Sequence, residues 1–113
     1  MKTKITTKEV KIIDQVINVP LYASGLQNLL QITGLTQEYI IKLHNQISSL
    51  IENQKDISVI ELNIDKDDFL NLVKVYSTSI SIVKDFDDIQ TLTGYSEEEV
   101  EKLEKKIKGL VVV

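Results

Sequence analysis

Apolar residues recur along this chain at the three-and-four spacing that places side chains on one face of a helix. Val10, Ile13, Val16 and Ile17 form one such stripe, and Phe69, Leu72, Val73 and Tyr76 form another. Two further stripes, Ile40, Leu43, Ile47, Leu50 and Val100, Leu103, Ile107, Leu110, share a 3-4-3 spacing suited to packing one helix along another. Ahead of the first stripe and of the Phe69 stripe lie two short pieces rich in β-branched residues, "KTKIT" near the start and "ISVIELNI" after residue 56. Each extended piece ends at a residue suited to begin a helix, Thr6 or Asp65. Thr36 and Ser96 stand at the expected starts of two later helices, with Glu98 placed for an early-turn role. Pro20 is expected to end the first helix, because the residue before a proline is pushed out of helical geometry. Gly109 is the expected stop of the last helix, leaving an apolar "GLVVV" tail that calls for cover within the chain or in an oligomer.

Sliding the sequence on itself by sixty places shows why the stripes match. "ITGLTQEYIIKLHNQISSLI" then lies over "LTGYSEEEVEKLEKKIKGLV", with seven identities in the nineteen positions 33–51. Thr33, Gly34, Glu38, Lys42, Leu43, Ile47 and Leu50 are the repeated residues. Upstream the apolar positions stay in step, Leu29 with Ile89 and Leu26 with Phe86, and a shift to fifty-nine aligns Val10 with Phe69 and Ile13 with Leu72. The expected fold is therefore mainly α: two pseudo-symmetric helical units, 1–56 and 57–113, in one compact domain of 113 residues. The two extended pieces are expected to pair as a minor two-stranded ribbon, and the two long glycine-led helices to pack on each other.

Charge divides the same two halves. Residues 1–56 carry six lysines against five carboxylates, and residues 57–113 carry seven against twelve. All thirteen basic residues are lysine. Arginine's planar fork makes the commonest specific contact to guanine, so its absence argues against sequence-specific nucleic-acid binding. Cysteine is absent and histidine occurs once, which removes disulfides, thiolate metal sites and thiol nucleophiles. No glycine-rich phosphate loop or paired-carboxylate signature accompanies the remaining polar residues, so no enzyme activity, cofactor or metal is expected. The clusters "DKDD" and "DFDD" lack the glycine and distal glutamate of a calcium loop and read as helix starts and solvated faces. No apolar run is long enough for a membrane span and the first ten residues lack a signal-peptide core, so a cytoplasmic protein is expected.

In both repeats a short helix ends at a glycine turn, followed by an apolar residue, a Ser or Thr, and apolar residues six and nine places after the glycine. Gly34, Leu35, Thr36, Ile40 and Leu43 carry this pattern, as do Gly94, Tyr95, Ser96, Val100 and Leu103. It resembles the helix-turn-helix motif of many bacterial and phage regulators. The departure is four places before the glycine, where the family's small residue is replaced by Leu30 and Gln90. Size and composition are also similar to those of small proteins carried by phages and prophages of low-GC Gram-positive bacteria. That resemblance implies regulation, virion assembly or the countering of host defences.

Outside the shared core the two repeats differ. The second turns Glu97, Glu98, Glu99, Glu101 and Glu104 outward, a face that phosphate repels. The first offers Gln37, Glu38, Lys42, Asn45 and Gln46 with Tyr39 and Ile41, and His44 is expected on its surface. The function expected is a protein-binding module, adaptor, inhibitor or assembly component, with a protein partner or a second copy on Tyr22, Tyr39, Ile41, Lys42, His44 and Asn45. One alternative is DNA reading by the first repeat. Another is mimicry of nucleic-acid charge by Asp85, Asp87, Asp88, Glu97, Glu98 and Glu101.

Overall fold

A computed structural model describes residues 1–51 and 58–110. Strand β1 (Lys2–Thr6) leads into α1 (Thr7–Asn18), a π-helical turn (Val19–Ala23), α2 (Leu26–Thr33) and α3 (Gln37–Ser48). Strand β2 (Val59–Asn63) then leads into α4 (Lys66–Phe86), α5 (Ile89–Thr93) and α6 (Glu97–Gly109). The result is a mainly helical body of 32 × 28 × 26 Å with one antiparallel ribbon. In the ribbon Ile5 faces Ile60 and Lys4 faces Glu61. No helix among the described residues is long and apolar enough to cross a membrane.

Local chemistry sets the helix starts. The Thr6 side chain accepts from the Glu9 amide at 3.1 Å, while the Glu9 carboxylate accepts from the Thr6 amide at 2.9 Å, so two orphan donors of α1 are satisfied reciprocally. Ser96 and Glu99 form the same box on α6, so the early-turn role expected of Glu98 belongs to its neighbour. Asp65 caps α4 by position, without a side-chain bond to the helix. At the far end α6 runs through Gly109 and is capped by Leu110 in ordinary helical geometry. The expected stop thus lies inside the helix, and Val111–Val113 of the apolar tail lie outside the described residues.

Each predicted stripe faces inward. Val10, Ile13, Val16 and Ile17 are buried, as are Phe69, Leu72, Val73 and Tyr76. Burial along α4 continues through Val75, Ser79, Ile80, Ile82 and Val83, making this 21-residue helix the axis on which the other helices pack. Its length breaks the expected symmetry. Pro20 divides the first half into α1, the π-helical turn and α2, whereas Ile80 stands sixty residues on and the backbone continues as one helix. The same asymmetry explains the packing of the glycine-led helices. α3 lies mainly on α1 and α6 mainly on α4, and neither takes the other as its main neighbour, contrary to the expected mutual packing.

Candidate functional site

The two helix–glycine–helix turns share a common set of bonds, to which the second adds the Ser96–Glu99 box. Before the first glycine, the Thr33 hydroxyl donates to the Leu29 carbonyl at 2.7 Å and accepts from the Leu35 amide at 3.3 Å. Gly34 then turns with φ +70°, its amide donating to the Leu30 carbonyl, and Thr36 accepts from the Tyr39 amide at 3.2 Å. In the second turn Thr93 donates to Ile89 at 2.7 Å and accepts from Tyr95 at 3.2 Å, Gly94 turns with φ +85°, and Ser96 accepts from Glu99 at 3.1 Å. Left-handed backbone selects glycine, and a threonine that closes bonds on both sides of the turn fixes where the next helix points. The Thr-Gly pair seen in both sequence repeats is thus a geometric requirement of the turn.

The structure separates the six residues expected to meet a partner, five on α3 and Tyr22 on the π-helical turn. Tyr22, Lys42 and Asn45 are exposed. Ile41 is half-buried against the core. Tyr39 is also half-buried, its hydroxyl donating to Asp68 and accepting from the Asn71 amide at 3.0 Å, which ties α3 to α4. Burial and the Asp68 carboxylate push the Tyr39 phenol above its ordinary range. His44, expected on the surface, is buried. Its Nε2 lies 2.8 Å from the Asp14 carboxylate, and its ring meets Tyr22 edge-on at 5.6 Å. Because an ionised carboxylate only accepts, Nε2 carries the proton, and Nδ1 is buried with no hydrogen-bond partner among the described residues. The reason is register: four residues after Ile40, His44 shares the inward side of α3 with Leu43 and Ile47 and meets the last turns of α1.

Asp14 also accepts from the Ser48 hydroxyl and from the Gln15 amide at 3.2 Å. Burial raises the Asp14 carboxyl, but the bonds from His44 and Ser48 outweigh it and hold the group below its ordinary range. Serine, histidine and aspartate therefore meet in the wrong order for nucleophilic catalysis. Ser48 and His44 both donate to Asp14, so the imidazole is not placed to take the serine proton. The cluster is a staple between α1 and α3. Among the described residues, no three His, Cys, Asp or Glu side chains converge to hold a metal ion.

The acidic face is interleaved with lysine. Lys84 of α4 reaches Glu97 at 3.0 Å and also Glu101, and both bonds push its ammonium above the usual range. Lys8 pairs with Glu99 at 2.8 Å and Lys108 with Glu104 at 3.4 Å. Asp85, Asp87, Asp88 and Glu98 are exposed, but two of these carboxylates also close local turns: Asp87 accepts from the Asp88 amide and Asp88 from the Thr91 hydroxyl. Of the six acidic residues expected to imitate nucleic acid, Glu97 and Glu101 are paired with Lys84 at the surface.

What the periodicity did not single out is a set of exposed apolar side chains on α2 and the elements beside it. Ile32 is 61% exposed, Tyr22 56% and Phe86 54%. The π-helical turn and α2 both pack against α4. Phe86 lies over Gly25, where an added Cβ would come within 3.2 Å of its ring and 2.5 Å of Ile82 Cγ2. In the sixty-residue alignment Ile32 and Phe86 stand opposite Leu92 and Leu26, which are partly buried. Outside the α2 region, Met1 at the start, Val59 of the ribbon and Leu70 of α4 are also exposed. Comparison of the chain with protein-family models, with curated proteins and with solved structures finds no match in any of the three.

Proposed function

We propose that this protein is a non-enzymatic protein-interaction module whose contact surface runs over α2 and its flanks. The observation that carries the reading is the exposure of Tyr22, Ile32 and Phe86, each more than half open to solvent on elements that pack together. Large apolar side chains left in water gain about 25 cal/mol for each Å² that a partner covers. Lys42 and Asn45 add polar contacts on the exposed side of α3, while Tyr39 and Ile41 are half-buried and His44 is buried, tied to other helices. On this reading the two halves, 1–56 and 57–113, are one unit written twice. The core and the Thr-Gly turn are kept in both, and the outer faces are free to differ.

DNA reading by α3 is the weaker reading. Its exposed side offers one lysine, Lys42, beside the like-to-phosphate charge of Glu38. Affinity capture separates the two. Tagged protein and its Ile32→Lys variant are passed through bacterial lysate with and without nuclease. A protein retained by the parent in both lysates and lost from the variant supports the α2 surface. Retention that requires intact nucleic acid, and that Lys42→Glu abolishes while Ile32→Lys does not, would replace it with DNA or RNA binding.

A further inference from the structure

Residues 19–37, nineteen positions from Val19 to Gln37, contain no charged side chain in a chain that is 27% charged. The stretch is not interior. Tyr22, Ala23, Ser24, Gln27, Asn28, Gln31 and Ile32 are exposed. On α2 the exposed residues fall at 27/31 and 28/32, two adjacent rows of one helix face. α6 shows what a solvated helix of this protein looks like: its exposed residues include Glu97, Glu98, Lys102, Lys105, Lys106 and Lys108. Charge is costly to strip of water, and the buried centres of interfaces are depleted of it and enriched in tyrosine. The α2 face has that composition.

From this we infer that the α2 face is the contact between two copies of this chain. The inference rests on the reading of the protein as an interaction module and names the partner. Across a two-fold axis a patch meets its own copy, residue i against j and j against i, so the groups at the axis must tolerate their own kind. A lysine or glutamate there does not. Asn28, Gln27, Gln31, Ser24 and Tyr22 do, because each carries a donor and an acceptor and bonds equally to a copy of itself. The remaining charge points the same way. The chain carries −4 overall, with the excess in residues 57–113, so two copies repel each other through most other approaches and least through the uncharged one. The face is smaller than the 20–30 residues per side of a standard interface, which sets the expected dissociation constant in the micromolar range, on the order of 10 μM.

Sedimentation velocity on the full chain, from about 1 to 500 μM at low and high salt, tests this. The expected result is a monomer–dimer equilibrium that salt does not weaken, since no ion pair closes the contact and salt screens the repulsion between the two acidic chains. Ile32→Lys and Ile32→Glu each place like charges across the axis and weaken association by about 100-fold. Mixing the two variants restores it through a heterodimer. Circular dichroism checks that both variants fold, as expected at a position so open to water. A chain that stays monomeric at the highest concentration overturns the inference, and so does a dimer indifferent to both substitutions. If the monomeric chain still captures a lysate protein that Ile32→Lys loses, the second copy is wrong and the interaction module stands; if it captures none, both readings fall.

Discussion

Asp14→Asn tests the staple between α1 and α3. The Asp14 side chain is 16% exposed and the His44 side chain 9%, so the 2.8 Å contact between them is screened little by solvent. Asp14 accepts from His44 and from Ser48 in this setting, while its bond from Gln15 lies in solvent. A hydrogen bond to a charged acceptor contributes about 1.5–3 kcal/mol, against about 0.5–1.5 kcal/mol for a neutral one. Asparagine keeps the shape and one oxygen. It therefore retains one of the two bonds in neutral form and turns an NH2 group toward the other donor. The expected loss is about 3 kcal/mol, or a fall in Tm of roughly 10 °C for a domain of this size. The pH dependence has a definite sign. The Asp14 carboxyl is held below its ordinary 3.8 in the folded chain. A depressed carboxylate contributes its stability above the unfolded value and loses it as pH falls through the folded one. The gap between parent and variant is therefore full at about pH 5 and shrinks below about pH 4. Urea unfolding followed by far-ultraviolet circular dichroism, repeated from pH 5 down to about pH 3, measures it. A gap under about 1 kcal/mol at pH 5, or one that stays constant or grows toward acid, refutes the staple.

Three further outcomes follow from the same geometry. Gly25→Ala forces a Cβ at φ +103° to within 2.5 Å of Ile82 Cγ2, whereas Gly34→Ala meets open space at φ +70°. Thermal unfolding is expected to rank them, with a loss of about 1–2 kcal/mol for Gly34→Ala and at least about 1 kcal/mol more for Gly25→Ala. Thr36→Ala and Ser96→Ala each remove an N-cap and are expected to cost about 1 kcal/mol; equal stability in urea titrations would mean that the caps are replaced by water. Tyr39→Phe removes the bonds to Asp68 and Asn71 and is expected to cost about 1 kcal/mol without changing self-association in the ultracentrifuge; a weakened dimer would return Tyr39 to the contact surface.

Much of this fold is written locally. Thr6, Thr36 and Ser96 were readable as helix starts because a cap needs only a hydroxyl and an amide three residues on. The inward stripes were readable because the period of a helix is independent of what it packs against. The ribbon followed from two β-branched pieces, each preceding a cap, and the repeated Thr-Gly turns from bonds that span four residues at most. The fate of the outward residues depended on partners far along the chain. His44 is buried because Asp14, thirty residues earlier, is brought to it, and Tyr39 is spent on Asp68, twenty-nine residues later. Lys84 neutralises Glu97 and Glu101 only because α6 folds back along α4. α4 continues where the first half breaks, so the two halves pack differently and no symmetry operation read from the repeat places one glycine-led helix on the other. Caps and periods are set by neighbours in sequence, so the chain alone determined the elements. Which polar groups are consumed inside and which apolar ones remain outside is set by neighbours in space, and only the tertiary structure decided that.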